Sequence, residues 1–339
     1  MLTIPERAGP ANPQAGSPPR PPTSARRTTT IDSSRPGGLD GACVVDARAR
    51  DLVTGSAQEG ALHHQQRFTA TISPDRHLIA IAADPPEPRL ARLVGSYVGS
   101  GFRAVMSETL PDHAARQSLL YALLDDLPGA NLVSGYAVQR GRTAASAEIH
   151  RAPPSADHVR ASVDMCAGWA NDATILVAFR QSKEIPAPLG PVAPVLERAG
   201  DGLSWHAMAP LPDQSTRRRR RLDLMATGPS GAHRAFDSHF RDSYRDLHGE
   251  ETVVHEYAVK GTLDDAVTHI DLIETEARVL PWVECPGAVV SSDRMAQMPL
   301  HTLRAQVRNE FTGTSTCTHL NDAFRFLSDL IPLEALLNP

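Results

Sequence analysis

Arg217-Arg218-Arg219-Arg220-Arg221-Leu222-Asp223 has a weaker twin upstream, Arg26-Arg27-Thr28-Thr29-Thr30-Ile31-Asp32. Laying Arg26 over Arg217, a shift of 191 residues (217 − 26 = 191), also sets Asp46 over Asp237, Arg50 over Arg241, Asp51 over Asp242 and His64 over His255 without a gap. Apolar character follows the same shift, with Val44 over Ala235, Val45 over Phe236 and Ile72 over Leu263. Charged identities at one fixed offset are harder to reach by composition than apolar ones, so the chain reads as a tandem duplication. The arginine run itself reads as a strand. Alternation puts Arg217, Arg219 and Arg221 on one face, and a solvated or salt-bridged strand is favoured over a nucleic-acid patch.

Working outward, each half opens with strands and closes with helices. Upstream, Arg67–Ile72 and His77–Ala82 flank a turn at Ser73-Pro74-Asp75; downstream, Val253–Val259 and Thr268–Ile273 flank a turn at Asp264-Asp265. Both are hairpins by alternation and turn chemistry. Helical periodicity follows at Ser118–Leu127 upstream, and at Leu300–Glu310 and Thr318–Leu330 downstream, where Pro332 is expected to stop the last run. The predicted class is α+β: two tandem repeat units, each antiparallel strands followed by helices. The expected boundaries are a proline-rich disordered tail over 1–25, a degenerate N-terminal repeat over 26–140, a connector over 141–215 with one helix from Ser155 to Trp169, and a C-terminal repeat over 216–339.

Composition narrows the function classes. The chain has 339 residues, 41% hydrophobic and 22% charged, which is globular. Its formal charge of −5 argues against a protein built to hold nucleic acid. No apolar run approaches the roughly 18–20 residues that cross a bilayer, and no apolar h-region follows the N-terminal charges, so no membrane partner and a cytoplasmic location are expected. Cys43, Cys166, Cys285 and Cys317 are widely spaced without a Cys-x-x-Cys pair, and reduced thiols are the default. Cys166 reads as part of a helix end packed by Trp169, with no chemistry of its own.

Several stretches together resemble the domain of unknown function 2889 family: Arg219-Arg220-Arg221-Leu222-Asp223, Asp237-Ser238, His255-Glu256-Tyr257, Cys285-Pro286 and Cys317-Thr318-His319-Leu320. The likeness is close over the C-terminal third. Proteins of that family commonly carry one such unit with a glycine before the motif cysteine, where this chain has Thr316. The upstream copy reads His113-Ala114-Ala115-Arg116-Gln117-Ser118 in the corresponding place and lacks the Cys and His. The resemblance brings no activity with it.

Three readings compete for the downstream Cys/His set. Cys317 at a helix start suits a nucleophile, since a helix N-terminus favours the reactive thiolate; His319 or His255 would be its base and Asp322 or Asp237 the orienter. Cys285, Cys317 and His319, with His255 as a fourth, make a candidate zinc set, although Cys-x-His is not a standard spacing. In the third reading these residues only pack, His255 sharing a strand face with Val253, Tyr257 and Val259. The residues do not choose between an accessory protein that binds a small molecule and a cysteine-dependent hydrolase or acyl-transfer enzyme. The duplicated aspartates Asp46, Asp51, Asp237 and Asp242 read as turn residues or arginine partners common to the fold.

Overall fold

In the computed structural model, which describes residues 9–144, 159, 162–182, 185–228 and 233–338, eight antiparallel strands form one sheet in the order β4-β3-β2-β1-β5-β6-β7-β8. The strands are β1 (Ser24–Ser34), β2 (Cys43–Thr54), β3 (Gly60–Ile72), β4 (Leu78–Asp84), β5 (Ser215–Thr227), β6 (His233–Arg245), β7 (Glu251–Leu263) and β8 (Ile270–Val279). Helices α1 (Phe102–Thr109), α2 (Pro111–Arg116) and α3 (Leu119–Ala144) follow the first four strands. After α4 (Thr174–Ser182) and the second four strands come α5 (Leu303–Glu310), α6 (Thr318–Phe326) and α7 (Leu330–Leu337). The class is mixed α+β. No helix among the described residues is long and apolar enough to cross a membrane.

β1 and β5 pair at the centre of the sheet, Arg26 opposite Asp223, Thr29 opposite Arg220 and Asp32 opposite Arg217. The pairing is reciprocal: Arg26 clamps Asp223 (2.6 and 2.9 Å) and Arg217 clamps Asp32 (both 2.6 Å). Arg27, Thr29, Ile31, Arg218, Arg220 and Leu222 point to the helical layer. Arg26, Thr28, Thr30, Arg217 and Arg219 point to the other face, where the chain over 191–211 lies; there His206 bonds both Thr28 and Thr30 at 2.8 Å. Because both faces are covered, all five arginines of the run are buried. Burying a guanidinium is tolerable only with charged partners, and each has at least one.

Among the described residues the two larger apolar clusters lie under the helices, one between β1–β4 and α1–α3 and one between β5–β8 and α5–α7, and a small third joins Ala137 of α3 to Tyr244 and Val254. The polar layer between the two larger ones holds Arg218, which takes Asp242 from its own half and Asp126 from α3 of the other (2.7 Å); Arg27 likewise takes Asp51 and, from beyond α6, Asp329 (2.9 Å). Gly129 lets α3 approach this layer, since a Cβ there would stand 2.3 Å from both Arg218 Nη1 and Asp322 Oδ2.

Three expectations change. Residues 1–8 lie outside the described residues, but 9–25 are not a loose tail: Ala11 bridges Val279 at the edge of β8, the Gln14 amide donates to Glu256 (2.6 Å), Arg241 donates to the Gln14 carbonyl, and Ser17 is buried against Leu196. Backbone groups do here what the few apolar side chains of the segment cannot. Of the helix expected over Ser155–Trp169, residues 155–158, 160 and 161 lie outside the described residues, and 163–166 are turn and bend rather than helix. At its end there is one 3-10 turn, Ala167–Trp169, and α4 begins later at Thr174. Pro332 does not end the final helical run. It sits in the first turn of α7, where an amide hydrogen has no intrahelical acceptor, so a proline costs nothing there.

Candidate functional site

The site begins on two neighbouring strands. Asp242 of β6 stands opposite His255 of β7, and the register slips immediately after, between Asp242 and Ser243. Such a bulge re-aims side chains at the end of a ladder. Arg218 grips Asp242 through Nε (2.8 Å) and Nη2 (3.0 Å), and His255 Nδ1 lies 3.4 Å from Asp242 Oδ2. The upstream half repeats the arrangement residue for residue: Arg27 grips Asp51 (both 2.8 Å), a slip follows Asp51, and His64 Nδ1 lies 3.5 Å from Asp51 Oδ2. The halves differ in what covers the imidazole. The side chain of His64 is 60% exposed, that of His255 only 12%.

The cover over His255 is the first turn of α6. Cys317 is its N-cap residue, in extended conformation, so the residue two positions on projects back over the sheet. The His319 ring stacks on His255 with centroids 3.7 Å apart and planes 20° apart, and its Nδ1 lies 3.8 Å from Cys317 Sγ. The Tyr257 hydroxyl and the amides of His319 and Leu320 also face that sulfur. Burial nevertheless pushes the Cys317 thiol up, and burial beside the His255 ring holds His319 well below the ordinary histidine range. The resting pair is therefore a thiol and a neutral imidazole. His255 Nδ1 and His319 Nε2 are both buried without a hydrogen-bond partner.

A cavity of about 640 Å³ opens beside the ring pair. Trp169, Ile175, Ile185 and Trp282 supply apolar wall, and the cavity is also lined by His255, His319, Cys317, Cys285 and Cys166. Three of the four cysteines, far apart in sequence, thus reach one space. Cys166, expected to be inert packing, is one of them, its thiol pushed up to about 12 by burial and by Cys317 nearby.

Of the residues singled out from sequence, Cys317, His319 and His255 come together. Asp322 does not join them as an orienter: its carboxylate is taken by Arg325 (2.6 Å) and Arg218 (2.9 Å), the Arg325, Arg218 and Arg103 charges holding it far below the carboxylate range against the burial that would raise it. Asp237 is bound by Arg221 (2.5 Å). The carboxylate at the histidines is Asp242, which the sequence marked as a turn residue or an arginine partner. Arg218 makes it the second, and the contact with His255 comes in addition. Cys285, Cys317 and His319 are not the set brought to metal-ligand separation. Among the described residues the one such group is Asp242, His255 and His319, whose ligand atoms all lie within 4.8 Å of one another. Cys285 instead packs its sulfur against Gly168, where a Cβ would meet it at 2.8 Å.

The downstream half thus combines a buried arginine strand, a strand histidine and a closing helix capped by Cys317. Residues 216–331, about the C-terminal third of the chain, match the family described as Protein of unknown function (DUF2889). No curated protein and no solved structure matches the chain.

Proposed function

We propose that this protein binds a small molecule in the cavity at the start of α6, with an apolar body against Trp169, Trp282 and Ile185 and a polar end at the His255–His319 pair. The observation that carries this reading is that His319, whose Nε2 is buried without a hydrogen-bond partner, and the stacked His255 both line a largely apolar space, because a buried polar group without a partner is costly and a ligand atom relieves that cost. Titration of the full chain with the apolar dye 1-anilinonaphthalene-8-sulfonate tests it. Saturable binding at one site is expected, weakened at least tenfold by Ile185→Trp, which fills the cavity. Absence of saturable binding, or binding indifferent to Ile185→Trp, overturns the reading.

A second reading, a cysteine-dependent hydrolase or acyl-transfer enzyme, draws support from the 3.8 Å approach of Cys317 Sγ to His319 Nδ1 and from the helix amides facing the sulfur. It requires a ligand that shifts the proton to the imidazole. With p-nitrophenyl acetate it forecasts a burst of one equivalent of nitrophenol that Cys317→Ser removes and Cys166→Ser leaves.

We also infer that the chain is a tandem repeat whose upstream unit has become a scaffold, active in a reducing compartment such as the cytoplasm. The reciprocal Arg26–Asp223 and Arg217–Asp32 pairs and the twin Arg–Asp–His sets, every member 191 residues from its counterpart, support the duplication. Four buried, unpaired cysteines are consistent with the compartment.

A further inference from the structure

We propose that Asp242, His255 and His319 form a binding site for a divalent transition-metal cation of the zinc class, with its remaining coordination position turned toward the cavity. The proposal goes beyond the small-molecule reading and stands without it.

Three observations carry it. First, tetrahedral coordination with ligand bonds of about 2.1 Å separates ligand atoms by about 3.4 Å; His255 Nδ1 and Asp242 Oδ2 stand 3.4 Å apart and make no hydrogen bond. Second, His319 Nε2 is buried without a partner, and one ligand atom from each of the three residues lies within 4.8 Å of the others, close to the spacing that a shared cation requires. Third, Asp242 is already oriented from behind: Arg218 donates one hydrogen bond to each carboxylate oxygen, which leaves Oδ2 a lone pair for a cation and fixes the carboxylate as an outer-sphere partner does in metal sites. Asp126 and Asp322 hold Arg218 in turn, so a cation near its guanidinium is not left among uncompensated positive charges. Two imidazoles and one carboxylate are a ligand set typical of sites that keep a position open.

The upstream half is an internal control. Arg27, Asp51 and His64 reproduce the first two ligands, but the residue before α3 is Ser118, whose hydroxyl pairs with His113 and the Tyr121 amide, and among the described residues no histidine covers His64. One site per chain follows, in the downstream half.

The test uses the full-length protein, stripped with a chelator and titrated with Zn²⁺ against a chromophoric competitor, then with Co²⁺. One tight equivalent of zinc is expected. His255→Ala and His319→Ala should each weaken it at least a hundredfold, whereas His64→Ala and Cys285→Ser should leave it within twofold. The cobalt form should show d–d bands without a thiolate-to-cobalt charge-transfer band. No tight zinc in the folded wild-type protein, equal loss in His64→Ala, or a charge-transfer band abolished by Cys317→Ser would each overturn the assignment. Should either histidine variant melt early, the cobalt spectrum of the wild-type protein still decides it.

Discussion

At the scale of single residues, the centre of this molecule depends on charge placed where charge is expensive. Arg218 is fully buried and held by Asp242, Asp126 and Asp322. Removing one member of such a set leaves its partners uncompensated, so Arg218→Met is expected to cost about 3–5 kcal/mol in urea unfolding; a loss under about 1 kcal/mol would show that the network is dispensable. Gly129→Ala offers a sharper test, because alanine ordinarily stabilises a helix by up to about 1 kcal/mol over glycine. Here the added methyl would overlap Arg218 and Asp322, both pinned by other bonds, and destabilisation of about 1–3 kcal/mol is expected. Cys317 carries a third forecast. Its sulfur is buried beneath Tyr257 and the α6 amides, so iodoacetamide should label it more slowly than a free thiol in the native protein and at the ordinary rate in urea. Rapid native labelling would instead favour the nucleophile.

At the scale of elements, the segment over 9–18 acts as a strap across the outer end of the downstream sheet. Deleting residues 1–18 removes the Ala11–Val279 bridge, the Gln14 contacts to Glu256 and Arg241, and the Ser17 contact to Leu196. The melting temperature should fall by several degrees, equivalent to about 2 kcal/mol or more for a chain of this size. An unchanged melt would mean that the strap rests on the body without supporting it. Glu256, which the strap caps, also sets an acid limit. Burial alone would raise its carboxyl, but hydrogen bonds and charge from His239 and Arg241 hold it down to about 2. A folded-state value below the unfolded one of about 4.3 stabilises the fold above that pH and loses its contribution as pH falls toward 2. The stability gap between wild type and Glu256→Gln should therefore narrow between pH 5 and pH 2.5; a constant gap would assign the effect to another group.

At the scale of the whole molecule, the halves are joined through their first strands, and each lends the other its carboxylates. Alone, residues 215–339 would expose β5 as an edge in which Arg217 lacks Asp32 and Arg218 and Arg220 lack Asp126. That fragment is expected to show no cooperative melt by circular dichroism, and a sharp one would mean that the upstream half is not needed for folding.

Much of this was legible in the sequence. Period-two alternation and turn residues located both hairpins, and the 191-residue shift matched strands that the structure places symmetrically about Thr29 and Arg220. The same shift paired Asp51 with Asp242 and His64 with His255, because strand side chains that share a register must share partners. Cys317 at a helix start was equally readable, since capping is local. What sequence could not decide was burial. A run of five arginines has the composition of a solvated edge, and only the joining of two half-sheets, with helices on one face and the chain over 191–211 on the other, makes it the interior. The convergence of Cys166, Cys285 and Cys317 on one cavity, the stacking of His319 on His255, and the choice of Asp242 over Asp322 as their carboxylate are likewise tertiary outcomes. They depend on contacts between segments tens to hundreds of residues apart, and no local spacing encodes those distances.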